Sequence, residues 1–133
     1  MKINLILGLS VIFITTSCSN QKQSITEEYS NIKILEQGQS LDDDEVITSA
    51  CKEFTMSKDS VSKFFSQSKT ISQIELHNQY DILPCYSTGT LNFNSKLYNW
   101  RIRVGGTGVL STDKETINKA CSKVACSNIP NLH

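Results

Sequence analysis

Residues 98–110 read Tyr-Asn-Trp-Arg-Ile-Arg-Val-Gly-Gly-Thr-Gly-Val-Leu, and the opening of this stretch decides the fold. Tyr98, Trp100, Ile102 and Val104 alternate with Asn99, Arg101 and Arg103. That period sends the apolar side chains to one face of a strand and the polar ones to the other. Gly105-Gly106-Thr107-Gly108 then reads as a β-turn, because it lacks the lysine of a phosphate loop and the spacing of a dinucleotide fingerprint. Val109-Leu110 opens the next strand.

Working upstream, Tyr86, Thr88, Thr90 and Asn92 alternate with Ser87, Gly89, Leu91 and Phe93. A turn at Asn94-Ser95-Lys96 is short enough to fold this strand onto the one at 98–104 as a hairpin. A helix is signalled earlier by Ser57 as N-cap, Asp59 in the first turn, and Val61, Phe64 and Phe65 at helical spacing. It should end between Gln67 and Lys69. Phe64 and Phe65 read as core anchors, so Trp100 is expected to pack against one of them. Two segments stay open. Val46 to Phe54 fits a strand or a helix. From Asp113 to Ala125, a capping box at Thr112 and Glu115 with Ile117, Ala120, Cys121 and Val124 argues helix, while Ile117, Lys119 and Cys121 argue strand.

The whole chain of 133 residues fits one domain, and no internal repeat divides it. Its 13 Lys plus Arg balance 13 Asp plus Glu, which excludes the basic face that a nucleic-acid binder needs. With 20% charged and 8% aromatic residues it is not compositionally disordered.

The amino terminus carries an address. Lys2 precedes an apolar run from Leu5 to Ile14 of about ten residues, where a spanning helix needs ~20. The run therefore reads as the core of an export signal. Ser17-Cys18 resembles the end of a bacterial lipoprotein signal, in which the chain is cut before a cysteine that becomes the acylated terminus. Thr15 stands where that class usually carries Leu, so ordinary cleavage near Ser17 stays open. The resemblance implies a palmitate-type anchor at Cys18, and Ser19 after it implies the outer membrane facing the periplasm. Residues 19–43 are mostly polar and read as a tether, with Ile32, Ile34 and Leu35 available for a short docked strand or helix. The acidic run from Asp42 to Glu45 lacks the spaced ligands and central Gly of a calcium loop and reads as a solvated turn.

An exported chain with Cys51, Cys85, Cys121 and Cys126 left over reads as two disulfides in an oxidising compartment. Three connectivities are open, and Cys51–Cys85 with Cys121–Cys126 is the pairing expected. Chain-entropy reasoning assigns roughly 3.8 and 2.2 kcal/mol to those two loops as upper figures. A zinc site on Cys121, Cys126 and His133 lacks a second ligand couple. No metal or other cofactor is expected.

Four residues are candidates for a site. His77 and Asp81 are four apart, which on a helix shares one face. Arg101 and Arg103 project opposite Trp100 and Ile102, and are expected to stand exposed together. Such a set could bind an anion or serve acid–base chemistry, but no third catalytic partner is recognisable by spacing. Residues 51–126 also resemble a group of small, uncharacterised, exported bacterial proteins. Cys51, Phe64-Phe65, His77, Asp81, Pro84-Cys85, Gly89-Thr90-Leu91, Trp100, Gly105-Gly106 and the last cysteine pair carry the likeness. It implies a disulfide-bonded α+β domain and no activity.

The reading as a whole is a signal peptide at 1–17, a lipidated cysteine and tether at 18–43, and one α+β domain at 44–133. That domain is expected to pack one helix on a three- or four-stranded antiparallel sheet with two disulfides. Function is expected to be non-catalytic: a lipid-anchored envelope protein that binds another protein, such as an immunity or inhibitor protein against a secreted toxin. A structural envelope lipoprotein, a small-anion binder and a small periplasmic hydrolase are the alternatives.

Overall fold

In the computed structural model, which describes residues 26–133, the chain opens with β1 (Tyr29–Ser40), α1 (Glu45–Cys51) and α2 (Lys58–Gln67). It continues through β2 (Lys69–Ile71), α3 (Gln73–Gln79), β3 (Cys85–Phe93), β4 (Lys96–Arg103), β5 (Thr107–Ser111) and β6 (Thr116–Ala120). The expected signal peptide, Cys18 and the first part of the tether lie outside the described residues. The strands form one six-stranded antiparallel sheet in the order β1-β3-β4-β5-β6-β2. The class is α+β as expected, but among the described residues the sheet has six strands rather than three or four, and there are three helices rather than one.

The hairpin of β3 and β4 is the one the sequence announces. Asn94 and Ser95 both take positive φ, which matches the right-handed twist of the strands they join. Tyr98, Trp100 and Ile102 are buried on one face of β4, and α2 lies against that face with Val61, Phe64 and Phe65 fully enclosed. Ser57 caps α2 by accepting a hydrogen bond from Ser60 N at 3.0 Å. Two glycines make the aromatic packing possible. A Cβ on Gly89 would sit 1.9 Å from Lys33 O and 2.6 Å from the Trp100 ring. The indole therefore lies flat over β3, and its Nε1 donates to Lys33 O and Thr90 O at 3.1 and 3.2 Å. Gly108 does the same on β5, where a Cβ would meet the Phe64 ring at 2.6 Å.

The tether reading gives way over Tyr29–Ser40, which form a 12-residue edge strand, so the folded unit begins before residue 44. Ser30, Asn31, Lys33, Leu35 and Glu36 are exposed, Gln37 to Ser40 are half-buried, and Tyr29, Ile32 and Ile34 pack on the core. Gln37 bonds both backbone groups of Met56, donating to its O at 2.7 Å and accepting from its N at 2.9 Å. Buried Ser87 donates to Phe54 O at 3.2 Å, and the Cys51–Cys85 disulfide completes this seam. Val46 to Phe54 resolves as α1 and a following turn. The acidic run before it is exposed, in keeping with a solvated turn, and its end opens the helix. Asp44 is the N-cap of α1 and accepts from Val46 N and Ile47 N at 2.9 and 3.1 Å.

The segment after Thr112 is a hairpin into β6, not a helix. Thr112 Oγ1 does accept from Glu115 N at 3.2 Å, as an N-cap would. The Glu115 carboxylate, however, turns away to Tyr98 Oη and to Lys96 Nζ, so the box never closes. Lys119 of β6 faces the core, 1% exposed, and pairs across the domain with Glu27 at 3.1 Å. Tyr29 donates to the same carboxylate at 2.5 Å, stacks on Phe93 and borders Phe65. Beyond β6 the Cys121–Cys126 disulfide folds the last residues back, and Gly105 N donates to the O of buried Leu132 at 2.6 Å.

Candidate functional site

The face of the sheet opposite α2 is mostly polar on β1, β3, β4 and β5, while at its β6-β2 end α3 covers it, Leu76 packing with Ile71 and Ala120. Its register can be followed across the sheet: Glu36, Thr88, Arg101, Val109 and Asn118 lie in one row. Gln39, Tyr86 and Arg103 lie in the next. On the other side run Lys33, Thr90, Asn99, Ser111 and Thr116. A shallow depression of about 430 Å³ occupies the middle of this face, with Glu36, Thr88, Asn99, Arg101 and Val109 among its walls.

Arg101 and Arg103 are not the freely exposed pair expected. Both are half-buried, and both Nε atoms are buried without a hydrogen-bond partner among the described residues. The Arg101 guanidinium lies over the Tyr86 ring at 4.7 Å from its centroid, a cation–π contact that fixes its plane. Burial, followed by the neighbouring Arg101 charge, lowers the pKa of Arg103. The ion pairs among the described residues join Lys63 to Asp59, Lys69 to Glu75, Lys96 to Glu115 and Lys119 to Glu27. Neither arginine takes part in one. Glu36, the nearest acid in the row, accepts instead from Thr88 Oγ1 at 3.1 Å.

His77 and Asp81 are not brought together. α3 ends at Gln79, and Tyr80 has already left helical geometry, so the shared-face argument fails at Asp81, which is exposed. His77 accepts at Nε2 from Gln73 Nε2 at 2.8 Å, and Gln73 Oε1 accepts from Asn118 Nδ2 at 2.9 Å. Because Asn118 shares a row with Arg101, this chain puts His77 at the rim of the same sheet face. The histidine is thus part of the clasp that holds α3, with no carboxylate to orient it for acid–base work among the described hydrogen bonds.

The residue that the sequence reading missed is Tyr86. Its signal was its place in the alternation of β3, but its meaning depends on the register that sets it opposite Arg103. The four cysteines outside the signal region are paired as expected, Cys51 with Cys85 and Cys121 with Cys126, so their sulfurs are taken. Zinc on Cys121 and Cys126 is thereby excluded. Comparison of the chain with protein-family models, with curated proteins and with solved structures gives no match.

Proposed function

We propose that this chain is a non-catalytic binding protein of the bacterial envelope, anchored by lipid at Cys18, that engages another protein through the outer face of its sheet. An inhibitor or immunity role against a secreted toxin fits a small domain of this kind. The observation that supports the reading is the pair Arg101 and Arg103. Two half-buried guanidiniums stand side by side on a rigid strand with no carboxylate paired to them among the described residues. Arginine is enriched at the centres of interfaces because its planar fork takes carboxylates bidentately and its stem covers apolar surface.

The test is affinity capture from envelope extracts with the native chain and with Arg101→Ala/Arg103→Ala. One specific partner should be retained by the native chain and lost by the variant. Capture of the same partner at the same yield by both would refute the reading. Anchoring is tested separately: Cys18→Ala should release the protein from membrane pellets, and unchanged retention with the signal cleaved elsewhere would remove the lipid.

A further inference from the structure

Resting on the sheet-face reading above, we infer that the partner presents an extended acidic segment, with carboxylates on alternate residues, to Arg101 and Arg103. The two arginines are separated by one residue on β4 and point to the same face. Alternate residues of any extended chain repeat at about 6.6 Å, so a strand-like segment with Asp or Glu at alternating positions matches their spacing. Each guanidinium can then take one carboxylate in a two-bond fork.

Three observations favour this ligand. First, like charges brought together at a half-buried site disfavour one another unless an opposite charge joins them. No described acid pairs with either arginine, and Glu36, which shares the row and the depression with Arg101, is bonded to Thr88. Second, Tyr86 holds the Arg101 plane in place, so little freedom remains to be lost on binding. Third, the backbone N–H groups of β4 are committed to β3 and β5. Phosphate sites recruit converging backbone N–H groups, and this face has none to offer around the arginines. Side-chain acceptors and donors continue the floor instead, through Thr88, Asn99 and Ser111 along a depression open to solvent. That surface suits a chain lying across the sheet rather than an enclosed small molecule.

The experiment uses the full chain in detergent and fluorescein-labelled peptides of alternating Glu and Thr, read by anisotropy at fixed ionic strength. The Glu peptide should bind at least about tenfold more tightly than its Gln analogue, since removing the charge removes the fork. Arg101→Gln/Arg103→Gln, which keeps side-chain bulk on the strand, should lose at least about tenfold in affinity. Lys114→Ala/Lys123→Ala, removing two exposed cations elsewhere, should bind as the native chain does. Equal binding of the Gln peptide, equal loss in the lysine variant, or displacement of the peptide by millimolar inorganic phosphate would overturn the inference. If the Glu peptide does not bind while the arginine variant still loses its captured partner, the acidic segment falls and the sheet-face reading stands. Retention of both peptide and partner by the arginine variant removes both.

Discussion

The two faces of one sheet are built on opposite terms. Toward α2, the buried residues of β3, β4 and β5 are apolar or glycine except Ser87, whose hydroxyl is bonded to Phe54 O, and the large rings are seated: Trp100 over Gly89, Phe64 over Gly108. On the far face the same strands present Thr88, Asn99, Arg101, Arg103 and Ser111, half-buried or exposed, with Thr107 fully covered at the end of β5. Even the charges follow the divide. Lys119, which faces inward, has a carboxylate and a ring beside it. The outward arginines have Tyr86 but no acid among the described pairs. A buried cation left unpaired is costly, so the inner face supplies Glu27 from 92 residues away. The outward pair has both Nε atoms buried without an acceptor among the described residues, so no polar contact of the kind that holds Lys119 accounts for its placement. The inner face carries the main core, and the outer face, covered by α3 at its β6-β2 end, leaves the surface around the arginines open to solvent.

That division can be broken most severely at Trp100. Trp100→Ala empties the centre of the inner face and leaves Lys33 O and Thr90 O without the indole donor. A loss of ~3–5 kcal/mol is expected, against a total of ~5–15 for a domain of this size. Thermal unfolding would show it as a large fall in melting temperature. A variant melting within a degree or two of the native chain would show that the inner face is not the core.

Gly89→Ala probes the same face by overfilling it. The added methyl meets backbone at Lys33 O, which cannot swing aside, so β1 must shift off β3. Overpacking of this kind costs ~1–3 kcal/mol. Urea denaturation should report it as a lower midpoint with an unchanged slope. An Ala variant as stable as the native chain would mean that the indole does not lie on β3.

The ion pair of Lys119 gives a smaller effect with a definite pH dependence. Burial raises the Glu27 carboxyl, but hydrogen bonds from Tyr29 and Lys119 outweigh it and leave the folded pKa below the ordinary 4.5. A carboxyl whose folded pKa is lowered contributes its stability above the unfolded value and loses it as pH falls through the folded one. Glu27→Gln should therefore cost about 1 kcal/mol near neutral pH, the half-exposed carboxylate being partly screened by solvent. The gap between variant and native chain should close below the lowered pKa. A gap that stays constant from neutral to strongly acid pH would assign the loss to packing instead.

The regions that were legible in the sequence are those whose pattern is local. β4 alternates without interruption, and Ser57 with Phe64 and Phe65 marks α2 unambiguously. β1 was hidden because positive φ at Asn31 and Gly38 breaks its alternation with bulges, and because an edge strand keeps its polar residues. β6 was hidden by Lys119, a charge at a core position that makes sense only once Glu27 is placed beside it. β2, at 3 residues, is too short to carry a period. At the site, the arginines were visible from their alternation with Trp100 and Ile102. Their half-burial was not, because it depends on Tyr86, which reaches Arg101 only through the pairing of β3 with β4.

The central claim, that the outer face binds around the arginines while the inner face carries the main core, is tested most directly on Arg101→Ala/Arg103→Ala, with unfolding and partner affinity measured on one preparation. Stability should fall by only about 1 kcal/mol, the cation–π contact of Arg101 with Tyr86 and the packing of two half-buried stems being lost but no described ion pair or hydrogen bond. Affinity should fall by ~2 kcal/mol, roughly thirtyfold. Native affinity in the double variant, or a drop in stability approaching that of Trp100→Ala, would contradict it.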